Sequence, residues 1–434
     1  MADSTSPTGK DAADVGVQPY WELTFDADGD ADARQRDEMV RQVPQQRLTD
    51  LVVFAHGWNN DRSMATRLYK RFFAPFPGLL GADVRLGYVG VIWPALRFTD
   101  EPIPDFPSSA RAVDDEAFLD DAMKQALARV FPGRELTLER LGQLLRDRPA
   151  AHSPFDEYAR LVRDLVSVRQ NSAAQRLAED TGDRTPAMLT DDPEKVYEVF
   201  TSALERLEGR QELFGDGLKR LWNGAKEVLR QASYYGMKRR AGVVGQLGLG
   251  PVLGRLAADA PALRVHLVGH SFGGRLVSYA LRGLPEGVTT VKSVTLLQGA
   301  FSHYAFASKL PHDQDRGGAL SGVQRRIDGP LVACHSEHDM ALSTMYPLAS
   351  KLAGDSSSFL GLFDRWGAVG FSGIQAVDGT QRIELGAAVP GSGCVSVDAS
   401  SVVRRGVPPA GAHSDICHEE LARVVLSAGR VAMA

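Results

Sequence analysis

The chain has 434 residues, 44% of them apolar, and a formal net charge of −5. That length supports a sizeable core, as one large domain with an insertion or as two domains. The mild acidity supplies no electrostatic footprint for nucleic acid or an anionic membrane as partner. Three cysteines, Cys334, Cys394 and Cys417, are too few for a disulfide framework. With an N-terminus that has no basic start and no apolar run, they point to a cytoplasmic protein. No stretch reaches the ~18 apolar residues of a membrane span, so no transmembrane segment is expected.

Residues 1–17 are small and polar and are expected to be disordered. Residues 20–25 suit a first strand, closed by the turn cluster Asp26-Ala27-Asp28-Gly29-Asp30. Leu51-Val52-Val53-Phe54-Ala55 is an unbroken apolar run, the pattern of a strand buried on both faces of a parallel sheet. Similar runs recur at 87–93, 265–269, 291–297, 331–334 and 394–397, with helical patterns at 64–73, 276–284 and 343–352. This alternation predicts an α/β fold: a mostly parallel sheet with helices on both faces.

The interval from 93 to 265 is far longer than the dozen or so residues a crossover needs. It opens on a proline-rich stretch, Glu101-Pro102-Ile103-Pro104-Asp105-Phe106-Pro107, and continues with helical stripes. Leu119, Met123, Leu127 and Val130 share one face; so do Leu138, Leu141 and Leu145, and Val196, Phe200, Ala203 and Leu207. Residues 105–225 are read as an inserted helical lid between core segments 18–104 and 226–434. Gly242, Gly245, Gly248 and Gly250 lack a phosphate loop's lysine and a preceding strand, and are read as a helix break. Lys238-Arg239-Arg240 is read as a solvated face.

Chemistry concentrates at Gly269-His270-Ser271-Phe272-Gly273, a G-x-S-x-G pattern between a strand pattern and a helical one. A serine on so sharp a turn needs glycines two residues to either side, where side chains would crowd the neighbouring backbone. The hydroxyl is thereby lifted out of the sheet, beside a helix N-terminus. Ser271 is the candidate nucleophile. His56-Gly57-Trp58 directly follows the early strand at 51–55. Acyl transfer develops a negative oxygen, and each N–H aimed at it is worth on the order of 3 kcal/mol. The N–H groups of Trp58 and Phe272 are the candidate oxyanion donors.

With these two elements the chain resembles the α/β-hydrolase superfamily, whose esterases and lipases carry a His-Gly-X element at the place of His56-Gly57-Trp58. The resemblance covers roughly 50–100 and 226–434, and nothing in 105–225. It implies the chain order serine, acid, histidine. Past the strand at 331–334 stand Glu337 and Asp339; Asp339 is preferred as the acid, with Glu337 the alternative. His413 lies in the loop before the final helical pattern, which matches the base's position in the superfamily. Asp415 is read as that helix's N-cap, and His418 as lying within the helix.

His56, Gly57, His270 and His303 are taken as substrate-contacting neighbours; for His303 a structural role is weighed beside this, and His266 is read as structural. Phe359, Leu360, Leu362, Phe363, Trp366 and Phe371 either line an acyl pocket or simply pack. His335, His338 and Asp339 lack metal-ligand spacing, so no metal is expected. The reading is a cofactor-free serine hydrolase cleaving a carboxylic ester, with a lipid or other hydrophobic ester as the narrower expectation. The same triad serves an amidase or an acyltransferase, and an inactive hydrolase-like binding or scaffold protein is the non-enzymatic alternative.

Overall fold

The apolar runs assemble as strands. A computed structural model of the chain describes residues 14–58, 60–96, 119–166, 191–208, 217–345, 367–407 and 410–434. Among these, eight strands form one sheet: β1 (Tyr20–Thr24), β2 (Asp50–Ala55), β3 (Leu86–Ile92), β4 (Arg264–His270), β5 (Val291–Leu297), β6 (Pro330–His335), β7 (Gln381–Glu384) and β8 (Gly393–Asp398). Their order is β1-β3-β2-β4-β5-β6-β8-β7, and every neighbouring pair is parallel. All six residues of β2 are buried, because β3 and β4 flank it and helices cover both faces. β7 is the strand the apolar pattern does not mark: Gln-Arg-Ile-Glu forms a largely exposed edge.

Alternate strand residues feed two cores. Leu51, Val53, Val89, Val91, Val265 and Leu267 face the helices Ala33–Gln42, Gly250–Asp259 and Phe272–Gly283. Val52, Phe54, Tyr88, Val268, Val332 and Val395 face the helices Arg62–Phe73, Phe76–Leu79 and Glu419–Ala428. Val15 and Val17, in the stretch expected to be disordered, are buried in this second core. Their alternating apolar side chains lead the chain into β1. Residues 1–13 lie outside the described residues.

Between β3 and β4 come helices Asp121–Val130, Glu135–Asp147, Ser153–Val166, Pro193–Glu208 and Gly217–Val243. The stripes read from the sequence are their inner faces: Met123, Leu127, Leu138, Leu141, Val196 and Phe200 are buried. Trp222 anchors this helical body, its ring centroid 4.7 Å from that of Phe155 and 5.6 Å from that of Tyr158. The boundary placed at 225 falls inside the helix Gly217–Val243.

Two expectations are corrected here. Lys238 and Arg240 are buried, not solvated. The Arg240 guanidinium donates to Pro94 O at 3.1 Å and to Val130 O at 2.9 Å, tying the strand-end loop after β3 to the helical body. The glycine-rich stretch does not break the helix: Gly217–Asp259 is helical throughout, with a π turn at Val244–Leu249. The wider turn suits Pro251, which has no N–H for the ladder. The glycines serve packing: a Cβ on Gly245 would stand 2.2 Å from Leu276 O, and one on Gly250 2.5 Å from Ala280 O. This helix is long and apolar enough to cross a membrane by length and composition, but 67% of its most apolar window is buried inside the protein, as in a core helix.

Of the helix expected at 343–352, residues Ala341–Met345 form a π turn and the remainder lies outside the described residues. Phe359, Leu360, Leu362, Phe363 and Trp366 likewise lie outside them; Phe371 packs on the first core.

Candidate active site

Parallel strands put all their C-terminal ends on one edge of the sheet, where loops from several strands meet. β4 ends at His270 and the helix Phe272–Gly283 starts two residues on, leaving Ser271 alone at the turn, with φ 54° and ψ −121°. A side chain in that region costs on the order of 1–3 kcal/mol. Neighbouring backbone holds it there: Ser271 N–H donates to Leu297 O at 3.0 Å, and Ser271 O accepts from Gly274 at 3.1 Å and Ala300 at 3.3 Å. The glycine spacing has a measurable cause. A Cβ on Gly269 would lie 2.3 Å from Gly273 O, and one on Gly273 1.9 Å from Ala55 O.

The Ser271 hydroxyl is 2.8 Å from His413 Nε2, and His413 Nδ1 is 2.8 Å from Asp339 Oδ2. Asp339 is 0% exposed and Ser271 1% exposed, so the polar chain runs through the interior. Asp339 Oδ1 accepts from Leu342 N–H at 3.1 Å. Glu337, the alternative acid, has a 75% exposed side chain whose neighbour is the surface residue His338 at 3.8 Å. Asp415 does not cap the final helix; His418 stands at its N-cap. Asp415 instead accepts from the Arg404 and Arg405 N–H groups and from His418 Nε2, bracing the loop that carries His413.

The loop after β2 lies against the serine: a Cβ on Gly57 would stand 2.7 Å from Ser271 Cβ. Trp58 follows, its ring edge-on to Phe272 at 6.2 Å and to Tyr234 at 5.3 Å. Phe272 N–H belongs to the first helical turn, which has no intrahelical acceptor to satisfy it.

Two of the neighbours expected to touch substrate, His56 and His303, are buried. The His56 ring is buried, 2.7 Å through Nδ1 from Gly57 O and 3.5 Å through Nε2 from Trp93 N, and stacks on Trp93. Both ring nitrogens are taken by backbone, so His56 braces the loop. His303 sits 2.7 Å from the Ser372 hydroxyl and is buried. His270 turns its Nε2 to His413 O at 2.8 Å.

Two residues of the site carry no motif. Gln298, fully buried with φ 47° at the end of β5, donates Nε2–H to Gly370 O at 3.0 Å and to Asp339 Oδ2 at 3.4 Å. Both neighbours are acceptors, which sets the orientation of its amide. Tyr234, from the long helix, packs its ring tilted against Phe272 at 4.4 Å and donates its hydroxyl to Ala300 O at 3.1 Å. A polar residue closing an apolar strand is the one sequence signal Gln298 offers.

A second Ser–His–Asp set lies at the opposite end of the sheet. His266 Nε2 is 2.8 Å from Asp50 Oδ1, and His266 Nδ1 is 2.9 Å from Ser293 Oγ, all three buried. Here the ring is reversed, and Ser293 sits within β5, on no turn and at no helix N-terminus. Equal distances therefore do not make equal sites; the turn and the surrounding donors distinguish them.

Burial pushes the His56 imidazole down to about 4 and that of His270 down to about 3, the latter with help from nearby His413. His266 and His335 shift the same way for the same reason. Below the ordinary value of 6.5 the unfolded chain therefore binds more protons than the folded one. The stability that the neutral His56 and His270 rings confer is complete above pH 6.5 and is lost as pH falls toward 4, by about 1.4 kcal/mol per pH unit for each of these two rings. Glu22, whose carboxyl burial pushes up, opposes this only near its own range. Urea unfolding at pH 7, 6 and 5 should show the midpoint falling steadily; a midpoint unchanged to pH 5 would contradict the neutral buried rings.

Comparison of the chain with protein-family models, with curated proteins and with solved structures returns no match.

Proposed function

We propose that this protein is a serine hydrolase of the α/β-hydrolase type that cleaves a carboxylic ester through an acyl-enzyme. The observation that carries the proposal is the Ser271–His413–Asp339 chain, with Nε2 toward the serine and Nδ1 toward a buried carboxylate, on a left-handed turn at a helix N-terminus. In the reaction the Ser271 oxygen attacks the ester carbonyl carbon and its proton passes to His413 Nε2. Asp339 supports the imidazolium so formed. The Trp58 and Phe272 N–H groups receive the developing oxyanion. Collapse expels the alcohol, which takes the proton from His413. Water then repeats the sequence on the acyl-enzyme, releasing the carboxylic acid and restoring Ser271.

The aromatic rings of Trp58, Phe272 and Tyr234 beside the serine favour a hydrophobic ester. Ser271 is closed off in this conformation, which fits a covering segment that opens; the helical body between β3 and β4 is the proposed lid. The test is covalent labelling with a fluorophosphonate probe. Wild type should label at Ser271, while Ser271→Ala and His413→Ala should not, each with its fold intact. Absence of labelling in folded wild type would refute the proposal. Turnover of p-nitrophenyl esters should rise with acyl length; equal turnover would remove the hydrophobic preference and keep the triad.

A further inference from the structure

His413 stands on an irregular segment between β8 and the helix Glu419–Ala428, so something other than regular structure must fix it. From the acid's side the segment is tied by backbone: Ala412 N–H donates to His338 O at 2.9 Å and Ala341 N–H to Ala410 O at 3.2 Å. From the nucleophile's side the tie comes from His270. Its Nε2 lies 2.8 Å from the carbonyl of His413 itself, and the ring is 4% exposed. A carbonyl can only accept, so the proton of the neutral ring sits on Nε2. The opposite edge of the ring lies against the loop after β2: Nδ1 is 3.1 Å from where a Cβ on Gly57 would be, and makes no hydrogen bond among the described residues.

We propose that His270 is a positioning residue, the strut that sets the distance between the nucleophile's strand and the loop of the base. It rests on the serine-hydrolase reading above. His270 does not exchange protons with substrate, since its ring proton is committed to a backbone carbonyl. It works through one directional bond from the residue before the nucleophile to the base, so the Ser271–His413 gap is set by two adjacent residues, the last of β4 and the turn residue that follows it. Reacting groups misplaced by about 1 Å lose up to about 10²-fold in rate, which is the scale such a strut protects.

Because Nδ1 carries no bond, an amide of equal reach can replace the ring. Glutamine offers an Nε2–H at a similar distance from the backbone; leucine fills the space and offers none. Fluorophosphonate inactivation is measured for wild type, His270→Gln and His270→Leu, with His270→Met standing in should the leucine variant not fold. The apolar variant should inactivate about 30-fold more slowly at unchanged half-saturating probe concentration, and His270→Gln should return to within about threefold of wild type. The acid limb of the pH profile should stay in place in every variant, because the ring is uncharged over that range. An apolar variant as fast as wild type, or a folded glutamine variant as slow as the apolar one, would overturn the proposal. If wild type itself does not label, the hydrolase reading fails separately, and the strut is then judged by hydrogen exchange over residues 410–416. Faster exchange in the apolar variant but not in His270→Gln upholds it; equal exchange in all three overturns it.

Discussion

Asp339→Asn should slow covalent modification of Ser271 by about 10⁴-fold while the protein stays folded, the scale of changes that spoil the tautomer of a triad histidine. The acid's surroundings give the reason. Its Oδ2 accepts from His413 Nδ1–H and Gln298 Nε2–H, and its Oδ1 accepts from Leu342 N–H. Donors face both oxygens, so an asparagine NH₂ group meets a donor whichever way it turns. Turned toward His413, it forces Nδ1 to accept and moves the ring proton to Nε2, where it faces Ser271 and cannot take a proton from it. Turned toward Leu342, it leaves a buried N–H and a buried NH₂ opposed, at about 1–3 kcal/mol. Inactivation kinetics and a thermal melt separate the two outcomes. Glu337→Gln is the control: its carboxylate is exposed, with the surface residue His338 as its neighbour, and its rate should equal wild type. An Asp339→Asn variant that labels at the wild-type rate would remove the carboxylate from the mechanism.

How much of this was legible in the sequence depends on how local each signal is. β2, β4 and β5 are buried on both faces and therefore read as apolar runs; β7 is a polar edge whose pairing with β8 leaves no mark on its composition. The turn at Ser271 is legible because its steric demand falls on residues two positions away, at Gly269 and Gly273. The sequence prefers Asp339 over Glu337 only by its place on the loop, since what separates two acids on one loop is which is buried, and burial is set by distant chain. The Arg240 bonds to Pro94 and Val130, and the Gln298 bond to Asp339, join residues far apart in sequence, so periodicity carries no trace of them. Lys238-Arg239-Arg240 misled for the same reason: charge runs are usually solvated, and the carbonyls that receive Arg240 are not its sequence neighbours. Gly242 to Gly250 looked like a break because glycine lowers helix propensity, but packing against the helix Phe272–Gly283 outweighed it.

The same steric logic makes the two adjacent glycines after the serine sharply unequal. Gly273→Ala should destabilise the protein by more than about 4 kcal/mol, the range of severe core defects, whereas Gly274→Ala should stay within about 1 kcal/mol of wild type. A Cβ on Gly273 would lie 1.9 Å from Ala55 O and 2.6 Å from both Ala55 C and His56 O. All three are backbone atoms, two in the last residue of β2 and one in the loop after it, so no side chain can swing aside. A Cβ on Gly274 meets Gly269 O at 3.3 Å and otherwise only side-chain atoms at 3.6 Å, a space that a small relaxation opens. Relief at Gly273 can come only by driving the helix Phe272–Gly283 away from the end of β2. That motion separates Phe272 N–H from the Trp58 loop, so any Gly273→Ala molecule that folds should also label slowly, through loss of converging oxyanion donors. Thermal melts and labelling rates for the two variants decide the matter. If Gly273→Ala melts and labels like Gly274→Ala, the close approach of β2 to the turn at Ser271 is not what shapes the site.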